Sequence, residues 1–195
     1  MESICIIGPF SSGTNLLKKI LETANIPIAD LLWKHDINMN VLEDVIKNSP
    51  TTLFIIMYRP LFTWIESMHK HSYDIQIPNT VLDEVKFKDT SYKNIIEIYV
   101  KYYTMYMKLI QKYSNVISMR YYQLIHLRFS YNYIKTKISP FLQIEITNEK
   151  LIECLSSPSK THGHCVNNNM EAIRNFKNIK YNNKVCKLIR YFFEK

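Results

Sequence analysis

Two glycines, a run of hydroxyls, one histidine and one arginine are the residues whose types and spacing could do chemistry. "GPFSSGTN", residues 8 to 15, follows the apolar run Ile4-Cys5-Ile6-Ile7 and leads into "LLKKIL". Against the phosphate-binding pattern G-x-x-x-x-G-K-[ST] it has both glycines, Gly8 and Gly13, but Thr14 stands where the lysine belongs. An average chain of this length would hold about 14 glycines. This one has 3, and two of them are in the loop. Glycine there lets backbone N–H groups approach a ligand, and with the following helix N-terminus the loop reads as an anion-binding nest. The plainer alternative is a tight strand-to-helix turn.

A second apolar run, in "LFIIMYRP", ends in Arg59 with no Asp in or directly after it. A cation at the carboxyl end of a strand, where open α/β sheets bind ligands, reads as a second contact to the anion and not as a metal ligand. No metal is expected. "WKH", Trp33 to His35, lies between the two, and an imidazole titrating near neutrality can act as a base. The bland alternative for His35 is an exposed polar residue next to Asp36 as a helix cap. His69 and His71 read as helix surface, and the set Cys154, His162, His164 and Cys165 fits no familiar zinc spacing.

These residues need elements to position them. Ile4 to Ile7, Leu53 to Tyr58 and Val116 to Met119 are short continuous apolar runs, the form of strands covered on both faces in a parallel sheet. Between them Leu16, Leu17, Ile20, Leu21 and Ala24 mark one helix face, and Ile95, Tyr99, Tyr102, Tyr106, Leu109 and Tyr113 another, which reads as core with hydroxyls at its edge. Val185, Leu188, Ile189 and Phe192 share one side of a last helix, with Lys184, Lys187 and Arg190 elsewhere around it. Ser72 to Thr90 and Ser156 to Asn169 read as long connections. Strands alternating with helices predict an α/β doubly wound fold.

The 195 residues suit one domain with a sizeable core. No apolar stretch approaches the ~20 residues of a membrane span. The start, Met1-Glu2-Ser3, has no signal-peptide pattern, and four separated cysteines suit reduced thiols, so a cytoplasmic protein is expected. Lysine supplies 20 of the 25 basic residues, and the wealth of Lys, Asn, Ile and Tyr fits an AT-rich genome, a virus among the sources. The net charge of +8 is concentrated in residues 160 to 195, with eight Lys or Arg against two Glu. That favours an anionic ligand or partner, against the plainer reading of a solvated helix face.

Taken in order, these motifs resemble the sulfotransferases that use 3′-phosphoadenosine-5′-phosphosulfate (PAPS). The family's 5′-phosphosulfate loop reads like P-K-S-G-T-T-W, and "PFSSGTNLL" matches it at Ser12, Gly13 and Thr14, with Asn15 for the second threonine and Ser11 in the lysine's place. The family's 3′-phosphate motif has Arg after a strand and Ser eight residues on, as Arg59 and Ser67 stand here. "RYYQL", Arg120 to Leu124, is similar to R-Y-E-D-L, which would put Tyr121 near the adenine. "WKH" is similar to the segment that carries the family's catalytic histidine, so the resemblance gives His35 the role of base and Lys34 that of charge stabiliser. "SKTHGHC", with Gly163, is similar to a segment that closes over the 3′-phosphate in some members. The four principal matches span residues 4 to 124, about two-thirds of the chain.

Three positions depart from the pattern: Ser11 for the loop lysine, Leu16 for a tryptophan that stacks on adenine in some members, and Pro60 directly after Arg59. The resemblance implies a single sulfotransferase-like domain over residues 1–195, of three-layer P-loop type, with a mostly parallel sheet flanked by helices. It implies PAPS as the small-molecule sulfate donor, a hydroxyl acceptor with a glycan as one possibility, and no metal. Two other classes stay open: a P-loop nucleotide or nucleoside kinase, and a basic nucleic-acid-binding protein built on residues 160 to 195, for which no recognition motif appears.

Overall fold

The computed structural model describes residues 2–70, 83–87, 89–143, 147, 149 and 183–194. Its elements run β1 (Ser3–Ile7), α1 (Thr14–Thr23), α2 (Met39–Asn48), β2 (Thr52–Tyr58), α3 (Leu61–Lys70), β3 (Val85–Phe87), β4 (Thr90–Tyr92), α4 (Ile95–Lys112), β5 (Val116–Arg120), α5 (Tyr121–Ile125), α6 (Leu127–Tyr133), a π-helical turn (Ile134–Ile138), α7 (Ser139–Leu142) and α8 (Asn183–Glu194). The three apolar runs form one parallel sheet in the order β1-β2-β5. Its register sets Ile7 against Ile56 and Tyr58 against Arg120, so all three carboxyl ends meet at one edge. Residues 27–29 extend the sheet beyond β1 by a single parallel bridge, Ile28 to Ile4, with Ile4 N–H on Pro27 O and Ala29 N–H on Ile4 O.

Both faces of this sheet are covered, which is why its central strand β2 is buried at every position and does not alternate. Cys5, Ile7, Phe54, Ile56 and Tyr58 pack with α2, α3, α4 and α8 on one face. Ile4, Ile6, Leu53, Ile55, Met57 and Met119 pack with α1, α5 and the π-helical turn on the other. The expected α/β fold with a helix-flanked parallel sheet is what the chain forms. No helix among the described residues is long and apolar enough to cross a membrane.

The side taken by each crossover positions the site. After β1 the chain turns into α1 on one face, and after β2 it turns into α3 on the other. Loops that leave neighbouring parallel strands in opposite directions open a crevice at the carboxyl edge. Part of the expected connection over Ser72 to Thr90 is instead an antiparallel hairpin, β3-β4, whose alternation of Val85, Lys86 and Phe87 buries two side chains and exposes the third. The rest of that connection, residues 72–82, lies outside the described residues, as do Ser156 to Asn169, His71, Cys154, His162, Gly163, His164 and Cys165.

The tyrosine-rich helix is core, as its spacing indicates: Tyr99, Tyr102, Tyr103 and Tyr106 are each fully buried. The last helix lies against it with Leu188 and Phe192 buried, while Lys184, Lys187 and Arg190 are exposed. The Phe192 ring stacks on Tyr58, with centroids 4.4 Å apart and planes 6° from parallel. Truncating a buried aromatic removes its transfer energy and leaves a cavity, so Phe192→Ala should cost about 3–5 kcal/mol in urea unfolding. An unchanged midpoint would mean that α8 does not dock there.

Candidate functional site

The loop after β1 is fixed through its carbonyl groups, four in succession. Gly8 O accepts from His35 Nδ1 (2.7 Å), Pro9 O from Ser12 Oγ (2.7 Å), Phe10 O from Trp64 Nε1 (2.6 Å) and Ser11 O from Arg59 Nη1 (2.7 Å). The donors come from the loop itself, from the 33–36 segment, from α3 and from the end of β2. With its carbonyls held in this way, the loop leads directly into the start of α1. There Gly13, Thr14, Asn15 and Leu16 have no intrahelical acceptor for their N–H groups. Asn38 and Asn94 cap α2 and α4 by accepting from Asn40 N–H and Glu97 N–H, each at 3.1 Å, whereas no side chain caps α1.

Both glycines are required sterically. A Cβ on Gly8 would meet Ser12 Oγ at 2.6 Å and Met57 Cβ at 3.1 Å. Gly13 has φ +99°, and a Cβ there would meet Tyr121 Cδ2 at 2.7 Å. Ser11 holds a left-handed conformation (φ 55°) without being glycine, a cost sustained where the surrounding structure over-determines the backbone, as the Arg59 bond to Ser11 O does.

An open cleft of about 510 Å³ lies between this loop and the end of β2. Ser11, Gly13, Thr14, Asn15, Leu16, His35, Arg59, Ser67 and Tyr121 line it, so eight of the ten residues singled out in the sequence meet there. Ser12 and Lys34 are not in its lining. Ser12 is fully buried with its hydroxyl committed to Pro9 O, so its part is to hold the loop. Lys34 is half-buried and its ammonium donates to Asn15 Oδ1. Burial and the neighbouring Lys18 hold the Lys34 ammonium below the usual lysine range.

Arg59 is 9% exposed, and its guanidinium lies 4.2 Å from the Tyr121 ring centroid. Nη1 is taken by Ser11 O, but Nε is buried with no hydrogen-bond partner. An orphaned donor of a buried cation at the wall of a cleft is the arrangement an anion would satisfy. Among the described lining residues there is no carboxylate. No group of three or more His, Cys, Asp or Glu side chains stands together among the described residues.

No family model, curated protein or solved structure matches this chain.

Sequence reasoning missed the residues that hold the site from behind. Tyr102 OH donates to His35 O (2.7 Å) and Tyr99 OH to Arg59 O (3.1 Å). Tyr103 OH accepts from Arg59 N–H (3.0 Å) and donates to Met57 O (3.3 Å). Trp64 reaches Phe10 O, and the Phe10 ring stacks on His35 at 4.2 Å. The helical spacing of the tyrosines placed them on one buried face, but which carbonyls they reach is a property of the fold.

His35 is 7% exposed, and burial is the main reason its pKa falls from 6.5 to about 4, against the raising effect of the Gly8 carbonyl. It is neutral at pH 7, and because Nδ1 donates to Gly8 O, Nε2 carries the lone pair. A depressed imidazole pKa means that the unfolded chain binds the extra proton between pH 6.5 and 4. Stability is complete above pH 6.5 and falls as pH drops through that window, by roughly 3 kcal/mol in all. His35→Asn, which keeps a donor for Gly8 O but does not titrate, should flatten this part of the profile in denaturation measured from pH 7 to 4. Equal slopes in the two proteins would contradict the burial of a neutral ring.

Proposed function

We propose that the cleft binds PAPS and that the protein is a sulfotransferase, moving the sulfuryl group to an acceptor hydroxyl. One observation carries this reading: residues from four separated segments, Ser11 with Gly13 to Asn15, His35, Arg59 with Ser67, and Tyr121, line one cleft at the carboxyl edge of the sheet. The residues fit a ligand with two anionic groups. The unpaired Arg59 Nε, with Ser67 in the same lining, suits a phosphate, and the uncapped start of α1 suits the phosphosulfate. A lining without a carboxylate among the described residues favours this reading over a kinase handling a magnesium-bound nucleotide.

Bound there, PAPS supplies a sulfuryl group whose bond to the 5′-phosphate oxygen breaks as the acceptor oxygen bonds to sulfur. His35 Nε2 takes the proton that the acceptor hydroxyl loses. The N–H groups of Gly13, Thr14 and Asn15, with the Lys34 ammonium reaching the cleft through Asn15, face the negative charge left on the phosphate. Lys34 thereby stands in for the lysine that Ser11 replaces. Tyr121 offers its ring both to Arg59 and to a base stacked at the cleft wall.

Calorimetric titration with 3′-phosphoadenosine-5′-phosphate, AMP and ATP, with and without Mg²⁺, tests the reading. Magnesium-independent binding that requires the 3′-phosphate is expected, and binding of ATP alone would overturn it. Arg59→Ala should weaken that binding by tenfold or more, since a hydrogen bond to a charged group contributes about 1.5–3 kcal/mol. Because Arg59 also holds Ser11 O, Ser67→Ala serves as the companion that leaves the loop bonds alone.

In turnover assays with PAPS, His35→Ala should bind 3′-phosphoadenosine-5′-phosphate nearly as well as the parent protein and lose turnover by about 10²–10⁴. Turnover retained per bound complex would remove His35 from the role of base.

A further inference from the structure

Tyr122 (50% exposed) and Phe129 (46%) are the two most exposed large hydrophobic side chains among the described residues, and they touch. Their ring centroids are 5.4 Å apart, and the exposed His126 ring lies 4.3 Å from Tyr122 and 6.1 Å from Phe129. Three rings thus form one open cluster across the junction of α5 and α6. The backbone beneath them is fixed. Ser130 is fully buried and sets its hydroxyl 2.7 Å from both Gln123 O and Leu124 O, while its N–H donates to His126 O (2.9 Å). Gln123 Oε1 accepts from Arg120 N–H (2.9 Å) at the start of α5. A single exposed apolar residue is ordinary on a protein surface. Three touching rings on a pinned backbone are a more specific arrangement.

Charge along this stretch has one sign. From Arg120 to Gln143 the chain has four Lys or Arg and no Asp or Glu. Arg128 stands next to Phe129, is exposed, and makes no ion pair among the described residues. Asn132 and Lys135 follow it at helical spacing and are exposed as well.

We propose that this surface binds single-stranded nucleic acid, with bases stacked on Tyr122 and Phe129 and phosphates against Arg128. Every base has a flat face that stacks on an aromatic ring, and the backbone beside it is anionic, so open rings next to unpaired cations suit a strand whose bases are free. Two other occupants fit less well. A two-fold contact with a second copy would set this cationic stretch against itself. An anionic bilayer is met by a longer amphipathic helix, whereas α5 and α6 have five and seven residues. Tyr121 lines the cleft and Tyr122 does not, so binding here does not depend on the nucleotide reading above.

Fluorescence anisotropy tests this with the full chain and a labelled oligothymidylate of about 12 nucleotides. The comparisons are an abasic strand of the same length and charge and the same sequence in duplex form, each at about 50 and 200 mM salt. Saturable binding of the oligothymidylate is expected, at least tenfold tighter than that of either comparison. Tyr122→Ala and Phe129→Ala should each weaken it by about fivefold to a hundredfold and leave the abasic strand unaffected. Arg128→Gln should weaken both single strands and reduce the slope of log K against log salt by about 0.7. All three side chains are exposed, and an unchanged urea midpoint verifies that each variant folds.

Equal affinity for the abasic strand would overturn the proposal, since charge alone would then account for binding. So would a loss of binding on Lys184→Gln with Lys187→Gln in α8 and none on Tyr122→Ala or Phe129→Ala. Absence of oligothymidylate binding at the lower salt overturns it outright. In that case, Phe129-dependent binding to phosphatidylserine vesicles would assign the surface to a membrane, and a Phe129-dependent dimer in sedimentation would assign it to a second copy.

Discussion

The structure around the cleft depends on what happens to four carbonyl groups, those of Gly8, Pro9, Phe10 and Ser11. Buried carbonyls must be paired, and a loop that leaves a strand has lost the ladder that would pair them. Here each finds a different donor, on His35, Ser12, Trp64 and Arg59. The loop therefore cannot shift without breaking bonds to three other segments of the chain, and those segments cannot shift without releasing the loop. Trp64 and Arg59 reach it because β2 runs parallel to β1, bringing its end to the same edge, and because α3 folds away from α1.

Behind this ring of bonds stands α4. Three of its four tyrosine hydroxyls, those of Tyr99, Tyr103 and Tyr102, reach the backbone at Arg59, Met57 and His35, so two residues of the cleft wall are hung from one helix. The need is mutual. Fully buried phenols require partners, and backbone groups beyond the ends of a strand or within an irregular segment require them as well. Leucine at Tyr99, Tyr102 and Tyr103 would fill similar space and leave those backbone groups unpaired, which accounts for tyrosine at those three positions.

Much of the fold was legible because it depends on local pattern. Continuous apolar runs gave the three strands, and the spacing of Leu17, Ile20 and Leu21 gave the buried face of α1. The scarcity of glycine pointed to the loop, and steric contact with Ser12 and Tyr121 accounts for both residues. What escaped was non-local or brief. Residues 27–29 join the sheet by a single bridge, and β3 and β4 have three residues each, too few for alternation to stand out. Ser12 looked like a ligand because hydroxyls bind anions, but a hydroxyl serves equally well to pair a carbonyl three residues away. The partners of Tyr99, Tyr102, Tyr103 and Trp64 lie 40 or more residues distant along the chain, where no spacing rule reaches.

The electrostatics of the cleft give a further reason to read it as an anion site. Burial lowers the pKa of Arg59 and His35 in the cleft wall and of Lys34 behind Asn15, so three groups at or next to the cleft have their charged form disfavoured by their surroundings. Folding tolerates this because each is anchored for another purpose: Arg59 and His35 hold loop carbonyls, and Lys34 holds Asn15. A bound anion would offset all three penalties together. It would also raise the basicity of His35 back toward neutrality. The burial that keeps the His35 lone pair available at pH 7 would then, on the proposed reading, tie the ring's readiness to accept a proton to the presence of the anion.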